Sequence, residues 1–400
     1  MAANTEVEPE ITPMPTSSAP TPDPLSAEEL VAAQQQFGFD LLGRLMAAEP
    51  EGNLFFSPFS IAMALQMTQS GAEGSTFEAM SQVFHLPPLT ADGLAAGNGT
   101  LLQALRTDLD PEVDLAIANS LWVRQGIPLN SAFLQRSLDA FDADVNQLNF
   151  GSETAPGQIN GWVEQQTQGQ IDEIVGTIDP DTLLYLINAI YFKGSWTQAF
   201  DPDLTDNQPF TRPDGSQFSV PLMQQTGRMN YVEQGGVQWV SLPYGENQDL
   251  SFVLGVPQVG IPLSEVLSEL NGEQWQQTVD QLRLSAGTVF LPRFELSSEL
   301  DLVAPLSNLG MEIAFSDQAN FGSITTIPVR ISQVTHKAVL TLNEEGSQAA
   351  AATAVAVVTR SAPREDSPFL VRADRPFVAM IQDNRTGAIL FMAVVQDPSQ

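Results

Sequence analysis

The 400-residue chain contains no cysteine. This absence excludes a disulfide framework, a cysteine-ligated zinc site, a thiol nucleophile and a redox-active dithiol. It does not fix the compartment, because a chain of this length with 43% hydrophobic residues can bury a sizeable core without disulfides.

Positive charge is also scarce. The chain has 16 basic residues against 48 acidic ones, a formal net charge of −32, and its only lysines are Lys193 and Lys337. The arginines are scattered, so no cluster could neutralise a row of phosphates, and we expect neither a nucleic-acid nor a heparin-like partner. The acidity predicts a solvated surface that would attract cationic partners at low salt.

The chain lacks a run of 18 apolar residues, so we expect no membrane span and no membrane partner. Its first residues, MAANTE, have neither the basic start nor the apolar stretch of a signal peptide. The localisation stays open: extracellular or periplasmic if a signal peptide has been removed, cytoplasmic if the sequence is complete.

Recognisable catalytic motifs are missing too. The only histidines are His85 and His336, and there is no G-x-S-x-G elbow, H-E-x-x-H zinc motif, P-loop or G-x-G-x-x-G. No metal, cofactor or catalytic residue is therefore predicted, and His85 is interpreted as a surface or packing residue. A hydrolase with an unrecognised carboxylate or serine site remains an alternative, because 48 acidic residues supply many carboxylate pairs.

The N-terminal residues 1–25 are rich in Pro, Thr, Ser and Glu and predict a disordered acidic tail. Ser26 and Glu29 have the spacing of a capping box, and apolar residues follow at helical spacing, so order is predicted to begin near residue 26. Since no Pro/Gly/Ser-rich linker interrupts the rest, we predict a single domain over residues 26–398.

Within that domain, helix and strand patterns are mixed without regular alternation, which predicts an α+β fold with more than one sheet. The nearly apolar run 183–192 (LLYLINAIYF) is typical of a central strand buried on both faces. A helix is predicted over 263–279. Further strands are predicted over residues 113–123, 218–220, 228–232, 237–243, 250–256, 282–295, 330–342, 369–381 and 388–395.

One segment stands out in so acidic a chain: residues 344–361, EEGSQAAAATAVAVVTRS, carry no charge from Gly346 to Thr359. Taken at every second position, Ser347, Ala349, Ala351, Thr353, Val355 and Val357 form a face that could enter a sheet without burying a charge. Alanine also favours helices, so the segment alone is equally compatible with a helix or a linker. Arg360 favours the interpretation of this segment as an exposed substrate-like bait for a protease, because arginine-preferring proteases hold this side chain in a deep acidic pocket.

The segment resembles the reactive-centre loop of serpins, in which an acidic pair, a glycine, a hydroxyl residue and a run of alanines form the hinge. Further segments resemble serpin signatures in the family's order: residues 53–61 (NLFFSPFSI), 188–196 (NAIYFKGSW), 291–296 (LPRFEL), 334–338 (VTHKA), 369–377 (FLVRADRPF) and 383–391 (DNRTGAILF). The resemblance thus extends over roughly residues 53–391.

The resemblance implies a serpin fold with three β-sheets, eight or nine helices and an exposed loop at about 344–368. It also implies an irreversible suicide inhibitor and not an enzyme: a trypsin-like protease cuts Arg360–Ser361, and the loop then enters the main sheet as a strand. Arg364 is an alternative cut site, although it would lengthen the loop by four residues. The expected state is a monomer that could form loop–sheet polymers.

The resemblance also assigns roles to residues. The hinge comprises Glu344, Glu345, Gly346, Ser347, Gln348, Ala349, Ala350, Ala351 and Ala352, and the subsite residues before the cut are Val357, Val358 and Thr359. The polar shutter under the sheet comprises Ser57, Ser60, Asn188 and His336, and the breach at its top includes Trp196 and an ion pair of Arg293 with Glu344. The competing interpretation is a non-inhibitory serpin that acts as a chaperone, carrier or storage protein; charged or bulky residues or proline in the hinge would favour it.

Overall fold

The computed structural model describes residues 25–347 and 368–399. Within these ranges the chain forms nine α-helices: Ala27–Ala48 (α1), Pro58–Gln69 (α2), Gly74–Val83 (α3), Ala91–Arg106 (α4), Ser131–Phe141 (α5), Ala155–Gln166 (α6), Leu263–Glu269 (α7), Gly272–Gln281 (α8) and Val303–Leu306 (α9).

The same ranges contain fifteen strands, and together with the helices they confirm the predicted α+β class. The strands are Leu54–Phe56 (β1), Val113–Arg124 (β2), Asp144–Leu148 (β3), Leu184–Ser195 (β4), Asp206–Thr211 (β5), Gln217–Gln234 (β6), Val237–Tyr244 (β7), Leu250–Pro257 (β8), Arg283–Pro292 (β9), Phe294–Asp301 (β10), Ile331–Leu342 (β11), Gly346–Ser347 (β12), Phe369–Arg372 (β13), Phe377–Asp383 (β14) and Ile389–Val395 (β15).

Helix α1 begins where the sequence predicts it. The Ser26 hydroxyl accepts a hydrogen bond from the Glu29 backbone N–H (3.2 Å), and the Glu29 carboxylate accepts one from the Ser26 N–H (3.1 Å), which completes the capping box. Residues 1–24, predicted as part of a disordered tail, lie outside the described residues, and Leu25 is buried.

Strand β6 pairs with three other strands of the larger sheet. That nine-stranded sheet has the order β1-β15-β14-β8-β7-β6-β9-β13, with β5 on β6. Two short strands were predicted at 218–220 and 228–232, but both belong to the 18-residue β6. Because β6 pairs with β5 and β9 first and with β7 at its end, hydrogen bonds join the strands of the described residues into two sheets and not three separate ones.

The smaller sheet contains the strands that carry the predicted hinge residues Gly346 and Ser347 and the predicted shutter residues Asn188 and His336. Its order is β10-β11-β12-β4-β2-β3, and β4 lies at its centre with ten of its twelve residues buried, as the apolar run 183–192 predicts. β4 and β11 pair in parallel from Leu184 opposite Ile331 to Tyr191 opposite Val339. We call the boundary between these two strands the seam.

The main core lies between the two sheets and includes α2, of which all twelve residues are buried. A helix without a polar face is expected only in such an interior position. A second apolar cluster lies on the opposite, outer face of the six-stranded sheet, where Ile159 and Val163 of α6 pack with Trp122, Tyr185 and Ile187.

Three sequence-predicted elements are split in the structure. The helix over 263–279 is two helices, because Asn271 caps α8 by accepting a hydrogen bond from the Gln274 N–H (3.0 Å). The strand over 282–295 is β9 and β10, separated at Arg293. The strand over 369–381 is β13 and β14, separated by a connection that contains Pro376, which has no N–H to donate to a sheet.

Candidate functional site: the hinge and the seam beneath it

The start of the predicted loop already lies in the six-stranded sheet. β12 pairs antiparallel with β4, Gly346 opposite Ser195 and Ser347 opposite Gly194, and Ser347 also pairs with Leu342 of β11. β4 and β11 pair directly with each other only as far as Tyr191 and Val339, and beyond these residues β12 lies between the two strands. The hinge therefore occupies the top of the seam.

Glycine is required at position 346. Its φ of 154° is one that L side chains rarely adopt, and a Cβ there would lie 2.0 Å from the Gly194 carbonyl oxygen and 2.8 Å from the Ser195 Cα. Any side chain would push β12 away from β4.

Ser347 fits its place by size and polarity. It is fully buried, and its hydroxyl hydrogen-bonds the Tyr244 hydroxyl (2.7 Å). Burial raises the pKa of the Tyr244 phenol, so the phenol stays protonated. The Tyr244 ring stacks on Trp196 (4.4 Å between centroids, 11° between planes) and lies against Gly194, where a Cβ would approach the ring to 3.0 Å.

The backbone just before the hinge is attached to the segment that follows β4. The Trp196 backbone N–H donates to the Glu345 carbonyl and its indole N–H to the Asn343 carbonyl (2.9 Å each), and the Phe200 N–H donates to the Glu344 carbonyl (2.9 Å). Trp196 is thus both a buried aromatic side chain and a hydrogen-bond donor that holds the turn at 343–345.

The Glu344 side chain is 7% exposed and is held by two donors: the Thr205 hydroxyl (2.8 Å) and the guanidinium of Arg293, which forms an ion pair with it. Burial raises the pKa of the Glu344 carboxyl, but the hydrogen bonds from Arg293 and Thr205 outweigh this, and the pKa lies below its ordinary value. Glu344 is therefore charged near neutral pH and attaches the start of the hinge to Arg293, which lies between β9 and β10, and to Thr205.

A second polar group crosses the seam deeper in the sheet. Asn188 of β4 lies opposite His336 of β11, and their side chains hydrogen-bond through Oδ1 and Nδ1. The Ser57 N–H donates to His336 Nε2 (3.1 Å), so the ring proton lies on Nδ1. Burial lowers the pKa of His336 to about 3, and the ring is neutral at physiological pH.

Asn188 is the centre of this group. Its Oδ1 also accepts from the Ser60 hydroxyl (2.8 Å), and its Nδ2 donates to the Ser60 carbonyl (3.1 Å) and to Asn119 Oδ1 (2.5 Å). Ser57, the N-cap of α2, accepts from the Ser60 N–H (3.1 Å), which fixes the helix start beneath the seam. The amide has both donors and its acceptor satisfied, as a buried polar group requires.

The structure thus brings the predicted site residues together in two places on one seam. Glu344, Glu345, Gly346, Ser347, Trp196 and Arg293 lie at the top, and Ser57, Ser60, Asn188 and His336 lie about six residues, roughly 20 Å, further down β4. Gln348, Ala349, Ala350, Ala351, Ala352, Val357, Val358, Thr359, Arg360, Ser361 and Arg364 lie outside the described residues.

Sequence reasoning missed five contributors: Asn119, Phe200, Thr205, Tyr244 and Asn343. Each makes its contact with a residue far away in sequence or through the backbone, so no local pattern identifies it. Tyr244 is the last residue of the largely apolar strand β7, and from the sequence it looks like any other buried aromatic residue.

The described residues offer little to a catalytic interpretation. His85 Nε2 lies within hydrogen-bond distance of Asp40 Oδ2 (2.7 Å) at the surface, and His336 is fully buried with both ring nitrogens bonded. No group of three or more histidine, aspartate or glutamate side chains in ranges 25–347 and 368–399 is arranged to hold a metal ion. In the same ranges, no helix is both long and apolar enough to cross a membrane.

The comparison with protein families decides the identity. The family model of serpins (serine protease inhibitors) matches residues 32–398. This chain belongs to the serpin family.

Its relatives differ in what they do. A serpin-like protein of Thermococcus kodakarensis is 34% identical over 371 residues, which cover 92% of this serpin and 86% of that protein. The leukocyte elastase inhibitor of Sus scrofa is 35% identical over 391 residues, with 93% and 100% covered. Human thyroxine-binding globulin, solved with thyroxine, has a TM-score of 0.85 at 26% identity, with 94% of this serpin and 100% of that chain covered. The family therefore includes an elastase inhibitor and a thyroxine-binding protein, and membership alone does not choose between these two functions.

Proposed function

We propose that this serpin is an irreversible inhibitor of trypsin-like serine proteases and that Arg360–Ser361 is the bond it offers. The protease serine attacks the Arg360 carbonyl carbon, and the Arg360–Ser361 peptide bond breaks with Ser361 leaving as the free amine. The product is an acyl-enzyme, an ester between the protease serine and Arg360. The loop then enters the seam as a new strand before the ester is hydrolysed. Loop insertion is a known general property of serpins; the support from this chain is the fit of its own loop to its own seam.

The observation that carries the proposal is the register of β12. Gly346 lies opposite Ser195, and continuing this antiparallel register brings Val357 opposite Leu184, the first residue of β4. The pairing of Ser347 with Leu342 likewise brings Val358 opposite Ile331, the first residue of β11. The segment before the bait is therefore as long as the strands it would join.

The side-chain pattern agrees with this register. Ser347 points into the core toward Tyr244, so the residues at every second position from 349 to 357, which are Ala, Ala, Thr, Val and Val, would also point inward. Thr353 would lie between Asn188 and His336, where its hydroxyl could replace the hydrogen bond that the opening strands lose.

Charge sets where the insertion ends. Thr359 is the last residue of the uncharged run, and Arg360 lies just beyond the ends of both β4 and β11 in this register. No charge enters the sheet, and the acylated residue is carried the length of the strands, about 40 Å for twelve residues at roughly 3.3 Å each. Such a displacement pulls the protease away from where it first bound, which is the basis of the trap.

A non-inhibitory role, such as the thyroxine binding that names one structural relative, would favour a hinge that cannot enter the sheet. Gly346 and Ser347 are small, uncharged and already paired with β4. We therefore favour the inhibitor.

The proposal is tested by mixing the protein with trypsin and resolving the products by SDS gel after boiling. We expect a covalent complex from the parent and from Arg364→Ala, and none from Arg360→Ala. A parent that is merely cleaved while trypsin stays fully active would refute the inhibitory function. A complex that persists in Arg360→Ala and is lost in Arg364→Ala would refute the assigned bond.

A further inference from the structure

Side chains bridge the seam on both of its faces. On the inner face, Asn188 bonds His336, as described above. On the outer face, the Tyr185 hydroxyl of β4 hydrogen-bonds the Thr335 hydroxyl of β11 (3.0 Å). Tyr185 lies opposite Gln333 and Thr335 opposite Ile187, so the bond runs diagonally across the seam.

The Tyr185 ring is fixed on the β4 side of the seam. It is 3% exposed and belongs to the apolar cluster beneath α6. Its cross-strand neighbour on β2 is Trp122, which meets Trp162 of α6 edge to face (6.2 Å between centroids, 84° between planes). The phenol therefore reaches toward β11 from a ring that the helix and the neighbouring strand hold in place.

The phenol is also kept protonated. Burial raises the pKa of Tyr185, as do the carboxylates of Asp301 and Glu299 on β10, while the hydrogen bond to Thr335 acts in the opposite direction. A neutral phenol and an aliphatic hydroxyl can each donate one hydrogen bond and accept another, so either group can be the donor, and this bond does not depend on pH near neutrality.

Insertion would affect the two bridges differently. A new strand separates β4 from β11 by a further 4.8 Å or so, which no side-chain hydrogen bond of 3 Å can span. In the register of β12, the inward residue between Asn188 and His336 is Thr353, which brings a hydroxyl. The outward residue opposite Tyr185 is Ala356, which brings only a methyl group.

We infer that the hydrogen bond between Tyr185 and Thr335 is a latch on the outer face of the seam, which slows strand insertion and stabilises the uninserted state alone. The two residues are positioning residues for the insertion step. This inference rests on the proposed function, because it requires that a strand enter between β4 and β11.

The test measures seam opening without a protease. A fluorescent peptide of residues 348–359 (QAAAATAVAVVT) is incubated with the intact protein, and its incorporation is followed over time on native gels. We expect Tyr185→Phe and Thr335→Val each to raise the rate about fivefold, the factor that corresponds to one lost hydrogen bond of about 1 kcal/mol. The double variant should be no faster than either single variant, since both remove the same bond.

Tyr191→Phe is the matched control. Tyr191 lies on the same strand and face, is 4% exposed and lies opposite Val339 at the seam, but its hydroxyl makes no hydrogen bond within the described ranges. Its rate should equal that of the parent.

The outcomes distinguish failure of the latch alone from failure of loop insertion, on which the proposed function depends. If the parent incorporates the peptide but Tyr185→Phe is no faster than Tyr191→Phe, the latch is refuted and the inhibitor proposal stands. Additive effects in the double variant would also refute a shared bond. If neither the parent nor any variant incorporates the peptide, insertion at this seam is refuted, and the latch with it.

Discussion

Replacing Ser347 with arginine should convert the inhibitor into a substrate. Ser347 is fully buried, and its hydroxyl lies 2.7 Å from that of Tyr244, so a side chain here points into the apolar space between the sheets. Before cleavage, an arginine can keep its guanidinium in water if the two-residue strand β12 leaves the seam. Insertion of the whole loop would instead bring the guanidinium into that apolar space. The bait at Arg360 is untouched, so acylation should proceed as in the parent.

The size of the effect follows from the burial. Taking an unpaired charge out of water costs several kcal/mol even after the surroundings relax. A cost of about 4 kcal/mol on the insertion step would slow it about a thousandfold. Hydrolysis of the acyl-enzyme would then be faster than insertion, and the protease would be released active with the loop cut.

The matched control is Ser347→Ala. It removes the hydrogen bond to Tyr244, but residue 347 is already in the sheet before cleavage, so the loss applies equally before and after insertion. Its insertion rate should therefore stay near that of the parent.

The assay is the number of inhibitor molecules consumed per trypsin molecule inactivated. We expect a value near that of the parent for Ser347→Ala and nearly complete cleavage without inactivation for Ser347→Arg. Parent-like trapping by Ser347→Arg would show that the inserted loop does not have to bury the side chain of residue 347. An equal loss of trapping in both variants would show that the hydroxyl, and not the buried charge, is responsible.

Three further predictions concern the hinge, the shutter and the cleaved state. Arg293→Met should loosen the hinge at Glu344 by about 1 kcal/mol or more. Arg293 itself is half exposed, but its loss leaves the buried Glu344 carboxylate with the Thr205 hydroxyl as its side-chain donor. Native gels after mild heating should show more self-association than the parent; equal self-association would mean that the ion pair does not hold the hinge. The pKa of His336 is about 3 in the folded protein and near 6.5 in the unfolded chain. Its contribution to stability is therefore complete above about pH 6.5 and is lost as the pH falls toward 3, by up to about 1.4 kcal/mol per pH unit. Thermal unfolding of His336→Gln should show a shallower acid dependence than the parent, and parallel curves would contradict a buried neutral imidazole. Cleavage after Arg360 should raise the melting temperature sharply, since a more stable inserted form becomes accessible, and an unchanged value would argue against insertion.

Local signals carried much of the fold prediction. The capping box at Ser26 and Glu29 gave the start of α1, and the uninterrupted apolar run gave the central position of β4, because a strand buried on both faces has no polar alternation. Two of the errors fell where only one or two residues interrupt an element: Leu270 and Asn271 between two helices, and Arg293 between two strands. The periodic pattern of apolar residues continues across these interruptions, so the sequence alone does not show where one element ends and the next begins.

The candidate site divides in the same way. Residues within family-like segments, such as Asn188 and His336, could be named from the sequence, but their hydrogen bond depends on the parallel register of β4 with β11. Tyr244 and Thr205 carry no signal of their own, since each acts through one long-range contact with the hinge. The Tyr185–Thr335 bond joins positions 150 residues apart and follows only from the register.

The most direct test of the account is a structure of the protein cut at Arg360–Ser361. In that structure, residues 346–357 should form a strand antiparallel to β4, with Val357 opposite Leu184 and Thr353 between Asn188 and His336. A cleaved protein in which β4 and β11 still pair directly from Leu184 and Ile331 to Tyr191 and Val339 would contradict it.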